Sequence, residues 1–270
     1  MAMKDRVSIT MIDGVADVRM IRADKMNALD EAMFEGLIEA GDKLRADKSV
    51  RAIVLSGEGR AFCAGLDMGR FEAMKEKGEA IAGTRDLRPR THGVANKPQW
   101  AAWQWREMPV PVIAAVHGVA LGGGFQIALG PDIRYASPDA RFSVMELKWG
   151  LVPDVAGTQL MRHLAREDIV RELTYTARIF GAVEAKEYGF VTRVCEKPYD
   201  EAMALARDIA SKNPHAIRAA KRLLNEAVLV DPQTGLQAES DEQVKLIGSR
   251  NQIEAVSANM AKRAPAFVDP

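Results

Sequence analysis

The sequence predicts a mixed α/β fold, with an α/β core over residues 1–200 and a helical region over 201–270. Three observations predict it. Apolar runs of strand length lead into Gly-containing turns and then into helical periods through the first two thirds of the chain. The stretch from Pro109 to Gly130, PVPVIAAVHGVALGGGFQIALG, shows this order in its barest form. From residue 168 onward the apolar positions recur almost entirely at helical spacing.

Size and charge bound what such a fold can do. With 270 residues, 47% of them apolar, the chain can bury a full core. Its 37 basic side chains equal its 37 acidic ones, so nothing points to nucleic acid or to an anionic membrane, and any phosphate site must be local. The two cysteines, Cys63 and Cys195, and the lack of a secretory or membrane-length apolar run lead to the expectation of a reducing cytoplasm.

Taken in order, residues 7–11 and 15–21 alternate as two strands joined at Asp13-Gly14, a strong hairpin signal. Asp30 can cap a helix whose apolar face runs through Met33, Leu37 and Leu44. Residues 51–56 form the next strand, and the turn after it leads into AFCAGLD at 61–67. Residues 70–100 read as a charged flap, with Trp100, Trp103 and Trp105 either an aromatic wall beside it or core and surface residues of one amphipathic helix. Residues 112–116 are a buried strand broken at His117-Gly118, with Gly122, Gly123 and Gly124 before the next helix. Strands are expected over 132–137 and 141–145, the latter ending at Glu146. A loop carries Asp154, and Gly157-Thr158 opens a helix through Leu164. A short helix closed by Gly189 and an extended piece over 191–194 follow. The tail then carries helices near 200–212, 216–228, 236–247 and 249–262, whose apolar faces require cover from the core or from another copy of the chain.

Two of these turns carry free backbone amides at the start of helical patterns, where the dipole favours negative charge. Two such donors sharing one carbonyl oxygen turn a thioester into an electron sink, because the enolate left by proton loss carries its charge on that oxygen. A carboxylate is then needed only to move a proton. Glu146, among apolar neighbours, has the desolvated setting that raises a carboxyl toward neutrality. Asp154, eight residues on, is able to face the same cavity.

The segments KMNAL, AFCAGLD, AAVHGVALGGGFQIAL, RFSVMELKWGLVPDVAGTQLMRHL and KRAPAF, in that order, resemble the enoyl-CoA hydratase/isomerase superfamily, also called the crotonase family. The resemblance implies a crotonase-like core of repeated β-β-α turns. It also implies a C-terminal helical trimerisation region, giving a homotrimer or a hexamer of two trimers. The implied substrate is an acyl-CoA thioester, with coenzyme A as part of the substrate and no separate cofactor or metal. Residue by residue, it implies oxyanion donors at the amides of Leu66 and Gly123. Substrate or CoA contacts fall at Lys25, Met26, Ala28, Ala64, Asp67, Met68, Gly122, Gln126 and Lys262.

Hydratases of this family carry a glutamate at the position of Gln126 and a second at Glu146. An amide orients water but accepts no proton, so two-carboxylate hydration loses its first partner here. Dienoyl-CoA isomerases carry an aspartate eight residues after the position of Glu146, as Asp154 stands here, and another aspartate where this chain has Gln126. The expectation is a double-bond isomerase of enoyl- or dienoyl-CoA using Glu146 and Asp154. A hydratase is the alternative, and a non-catalytic acyl-CoA- or RNA-binding relative is the alternative of another class. Cys63 is expected to be a buried small side chain, His117 a satisfied turn histidine, and no metal spacing is present.

Overall fold

The computed structural model of the chain describes residues 2–77 and 86–270, so part of the predicted flap, 78–85, lies outside the described residues. A short β1 (Ala2–Met3) precedes the hairpin of β2 (Val7–Ile12) and β3 (Val15–Met20). Its turn at Asp13-Gly14 has positive φ at both residues, as a tight two-residue hairpin requires. Asp30 caps α1 (Glu31–Ala46) by accepting from the Met33 amide at 2.8 Å. Then come β4 (Ala52–Gly57), α2 (Met68–Lys77), α3 (Lys97–Arg106), β5 (Val112–Val116), β6 (Val119–Leu121) and α4 (Gly123–Leu129). The chain continues through β7 (Ile133–Ala136), β8 (Arg141–Ser143), a 3-10 turn over Met145–Trp149, α5 (Gly157–Met161), α6 (Glu167–Thr176), β9 (Phe180–Gly181), α7 (Ala182–Glu187) and β10 (Arg193–Val194). Four helices finish it: α8 (Pro198–Ala210), α9 (Pro214–Glu226), α10 (Pro232–Leu246) and α11 (Arg250–Met260).

The main sheet runs β1-β2-β3-β4-β5-β7-β10, antiparallel through β3 and parallel from β3 onward. Parallel neighbours need crossovers, and these are where the predicted helices go. Alternation along β4 divides the two faces. Ile53 and Leu55 join the large core with α1, α3 and α4, while Ala52 and Val54 pack under α8 with Met203 and Ala206. A second, small sheet of β6, β8 and β9 lies beyond the ends of the parallel strands. It positions the site.

Several expectations are corrected in detail. Strand β8 stops at Ser143 and Glu146 stands in the 3-10 turn, because β6 ends at Leu121 opposite Ser143 and no described strand pairs with the chain beyond it. The glycines at 123 and 124 lie inside α4, not before it. The three-residue β6 was hidden in what reads as a turn. Helix α9 starts two residues earlier than expected, at Pro214, with Asn213 accepting from the His215 amide.

Of the two readings of the tryptophans, the amphipathic helix is the one the fold carries. Trp105 is fully enclosed in the core, Trp103 donates to Glu107, and Trp100 lies under the Arg45 guanidinium. Helix α3 packs on α1 and α4, so its aromatic side chains serve the core and its rim.

Candidate active site

The loops leaving the C-terminal ends of β4 and β5 are laced to each other. The Phe62 amide donates to His117 O at 2.9 Å, the Cys63 amide to Val119 O at 2.9 Å, and the Leu121 amide to Cys63 O at 3.1 Å. Residues 61–65 thus form an extra strand-like rung against β6. Gly65 has φ +89°, and a Cβ there would lie 2.7 Å from Leu121 O, so only glycine allows the two turns to come this close.

A cavity of about 220 Å³ opens at this seam. Leu66 and Gly123, the predicted donors, both line it, with Ala64, Gly65, Met68 and Gly122. Neither the Leu66 nor the Gly123 amide donates to another described residue. The Leu66 amide is left over because the neighbouring bonds, Leu29 N–H to Gly65 O and Asp67 N–H to Leu29 O, bypass it. The Gly123 amide is left over because it opens α4.

Glu146 and Asp154 line the same cavity. Burial pushes Glu146 up from 4.5 to about 7, with the nearby charge of Asp154 adding to the rise and the bond from Gln126 opposing it. Burial likewise pushes Asp154 from 3.8 to about 6. Both carboxyls are thereby raised toward the range in which a carboxyl can take or give a proton near neutrality.

Gln126 is fully buried and does not line the cavity. Its Nε2 donates to Glu146 Oε1 at 2.6 Å, and its Oε1 accepts from the Val155 and Gly157 amides, each at 2.8 Å. Gln126, expected among the substrate contacts, meets protein through its oxygen and one N–H. Glu146 Oε2 is enclosed and has no hydrogen-bond partner among the described residues.

The remaining predicted contacts fall at different distances from the cavity. Lys25, Met26 and Ala28 form a loop laid along the first turn, where the Ala64 amide donates to Met26 O at 2.9 Å and Cys63 Sγ lies 3.1 Å from Asn27 O. Asp67 is held by Arg22 at 2.7 Å and accepts from the Gly69 amide at 2.9 Å. Arg22, which sequence reasoning missed, also donates to Ala28 O, and so ties the Lys25 loop to the turn. Lys262 is exposed just past α11 and does not line the cavity of its own chain.

The apolar walls were largely unforeseen. Phe34, Leu29, Leu121, Met145, Leu151 and Val155 contribute, and Phe71 stacks on Trp149 at 4.4 Å between ring centroids. Trp149 carried a readable signal once a 3-10 turn is allowed, since residues three apart there share one side and Glu146 is three before it. The bland readings of other residues fit their surroundings. Burial pushes the Cys63 thiol up to about 12, far from a reactive thiolate. His117 Nε2 lies 2.9 Å from Gly59 O. Among the described residues no cluster of three or more His, Cys, Asp or Glu side chains is placed to hold a metal ion.

Comparison with known proteins is consistent along the chain. The sequence profile of the family described as enoyl-CoA hydratase/isomerase matches residues 10–270. The mitochondrial methylglutaconyl-CoA hydratase of Mus musculus is 32% identical over 94% of this chain and 79% of that protein. The mitochondrial Delta(3,5)-Delta(2,4)-dienoyl-CoA isomerase of Mus musculus is 33% identical over 92% of this chain and 77% of its own length. The crystal structure of enoyl-CoA hydratase from Bacillus anthracis superposes with a TM-score of 0.86 at 30% identity, covering 97% of this chain and 98% of that one.

Proposed function

The chain belongs to the enoyl-CoA hydratase/isomerase family, and from that premise we propose that it is a double-bond isomerase of enoyl-CoA or dienoyl-CoA thioesters. The observation that carries this reading is the polar set around the cavity. Two carboxyls with raised pKa, Glu146 and Asp154, share it, while the buried position beside Glu146 is an amide, Gln126, that can neither take nor give a proton.

The thioester oxygen sits between the Leu66 and Gly123 amides, and CoA lies along the Lys25, Met26, Ala28, Asp67 and Met68 rim. The ionised member of the pair takes a proton from C2 of a 3-enoyl or 3,5-dienoyl group. The C–H electron pair moves into the conjugated system and charge collects on the thioester oxygen, where each amide donor is worth about 2.7 to 4 kcal/mol. The protonated member then delivers a proton to C4 of the enolate, or to C6 of the longer one, and the double bonds end in conjugation with the carbonyl. The pair begins and ends with one proton. Lys262 and the exposed apolar residues Leu224, Leu229, Leu236 and Val244 of the tail support a homotrimer or hexamer in which the tail covers a neighbour.

A second reading, hydration of a 2-enoyl-CoA by the same carboxyl pair, has support from the likeness to methylglutaconyl-CoA hydratase. Ultraviolet assays on the purified protein separate the two. The expected result is a rise of conjugated enone or dienone absorbance with 3-enoyl- and 3,5-dienoyl-CoA. Faster loss of crotonyl-CoA absorbance, indifferent to Asp154→Asn, overturns the isomerase assignment.

A further inference from the structure

We propose that Gln126 is a positioning residue that sets which oxygen of Glu146 exchanges protons, and that the backbone at 155–157 is shaped to hold Gln126 for that purpose. This rests on the isomerase reading and says how its acid/base group is controlled.

The argument starts from the donor and acceptor inventory of a buried amide. An amide oxygen offers two lone pairs, and both are taken here by the Val155 and Gly157 N–H groups. That fixes which end of the side chain is oxygen, so Nε2 has to face Glu146. A primary amide nitrogen only donates, so Glu146 Oε1 can only accept from it. The proton that this carboxyl takes up therefore resides on Oε2, the enclosed oxygen with no other partner. Without Gln126 the two oxygens are equivalent and the proton is free to occupy either.

The supporting backbone carries the marks of a built cradle. Presenting the amides of 155 and 157 to one oxygen requires the residue between them to turn to the left-handed region, and Ala156 does so at φ +63°. That conformation is strained for a non-glycine residue, so it persists only where neighbours over-determine it. A Cβ at position 157 would lie 2.5 Å from Gln126 Oε1 and 2.7 Å from its Cδ, so glycine is required for the amide to seat.

The same side chain joins three parts of the site. Gln126 belongs to α4, whose first amide is that of Gly123. Its nitrogen holds Glu146, and its oxygen holds the loop that carries Asp154. Moving Gln126 moves the donor and both carboxyls relative to one another. The bond from Nε2 also stabilises the ionised form of Glu146 and opposes the rise caused by burial and by Asp154.

The test compares Gln126→Met and Gln126→Glu with the parent protein. The Met variant keeps length and loses both hydrogen-bonding ends. The Glu variant keeps oxygens for the 155 and 157 amides and places a second carboxyl against Glu146. Glu146 is followed by carboxyl 13C-NMR titration of Glu-labelled protein, assigned by its loss in Glu146→Gln. In parallel, kcat and KM for the turned-over acyl-CoA are measured against pH.

Both variants are expected to move the Glu146 titration, and the ascending limb of kcat, to higher pH. The expected fall in kcat is on the order of 10²-fold, the cost of about 1 Å of misplacement, with KM little changed. A Glu146 titration that stays in place in both variants overturns the proposal, as does an effect confined to KM, which would make Gln126 a substrate contact. If no unsaturated acyl-CoA is turned over by the parent protein, the isomerase reading fails. The titration still decides the role of Gln126.

Discussion

Replacing Glu146 by Gln is predicted to stabilise the protein, increasingly so as the pH rises, while abolishing turnover. The carboxyl is almost fully enclosed, and burial raises it from 4.5 to about 7. At 1.36 kcal/mol per pK unit, the ionised form costs the folded state up to about 3 kcal/mol. The sign follows from the raised folded value. The favourable contribution is fully present below the unfolded pKa near 4.5 and is lost as pH rises through about 7. Gln keeps the shape, and its carbonyl still accepts from Gln126, but it never ionises. Any fixed cost of the substitution is the same at every pH and cancels from the trend. Thermal unfolding of the two proteins at equal concentration should give a Tm difference that moves in favour of the variant between pH 5 and 8.5. Its limit is roughly 6 to 12 °C for about 3 kcal/mol. A difference that is flat over this range refutes the claim that Glu146 ionises late. Turnover should fall by about 10² to 10⁴, with acyl-CoA binding kept, and retained turnover would exclude Glu146 as the proton carrier.

Asp154→Asn should reduce isomerisation and move the Glu146 titration to lower pH, opposite to the Gln126 variants, because the Asp154 charge pushes Glu146 up. A pH profile that does not move separates the two carboxyls electrostatically. Gly65→Ala puts a Cβ against Leu121 O at 2.7 Å in a positive-φ turn and should displace the Leu66 amide. The expected loss is about 10² to 10³ in kcat, measured at saturating substrate, and unchanged kcat would remove Leu66 from the oxyanion site. Trp149→Ala breaks the stack with Phe71 and opens the cavity wall. KM for a given acyl-CoA should rise while the pH profile stays as in the parent, and a shifted profile instead would tie Trp149 to Glu146.

How much of this was legible depended on whether a feature is local. The Asp13-Gly14 hairpin, the Asp30 cap and the strand at 112–116 follow from short-range rules, and the chain carries them where those rules put them, whereas Leu66 and Gly123 were singled out as donors by the family resemblance. The tryptophans at 100, 103 and 105 were left between two readings because a helical stripe of aromatics reads alike whether it faces a cavity or a core. What decides is the packing of α3 against α1 and α4, which is not local. The partners of Gln126 were hidden for a related reason. Its type says what it can donate and accept, but its partners come from positions 146, 155 and 157, which the fold brings around it. Glu146 was expected at a strand end because the chain alone does not show that β8 loses its partner at Leu121.

That lost partner also explains how a three-rung ladder sets the distance between the donors and the base. Strand β6 pairs with β8 in the register Val119 to Arg141, Ala120 to Phe142 and Leu121 to Ser143, and the Gly122 amide then donates to Ser143 O at 3.0 Å. The amide of Gly123 is therefore two residues beyond the last rung on one strand, and Glu146 is three beyond it on the other. The register is itself pinned, since Ser143 Oγ donates to Ala177 O at 2.9 Å and Phe142 lies in a cluster with Phe125 and Phe180. A slip of one residue would displace Glu146 by about 3.3 Å and turn Phe142 out of its cluster. That displacement exceeds the tolerance of a near-attack geometry several-fold. Inserting a single residue between Ser143 and Glu146 should therefore remove turnover while the β6–β8 pairing and the fold survive, and an insertion variant that keeps full kcat would show that the ladder does not set this distance.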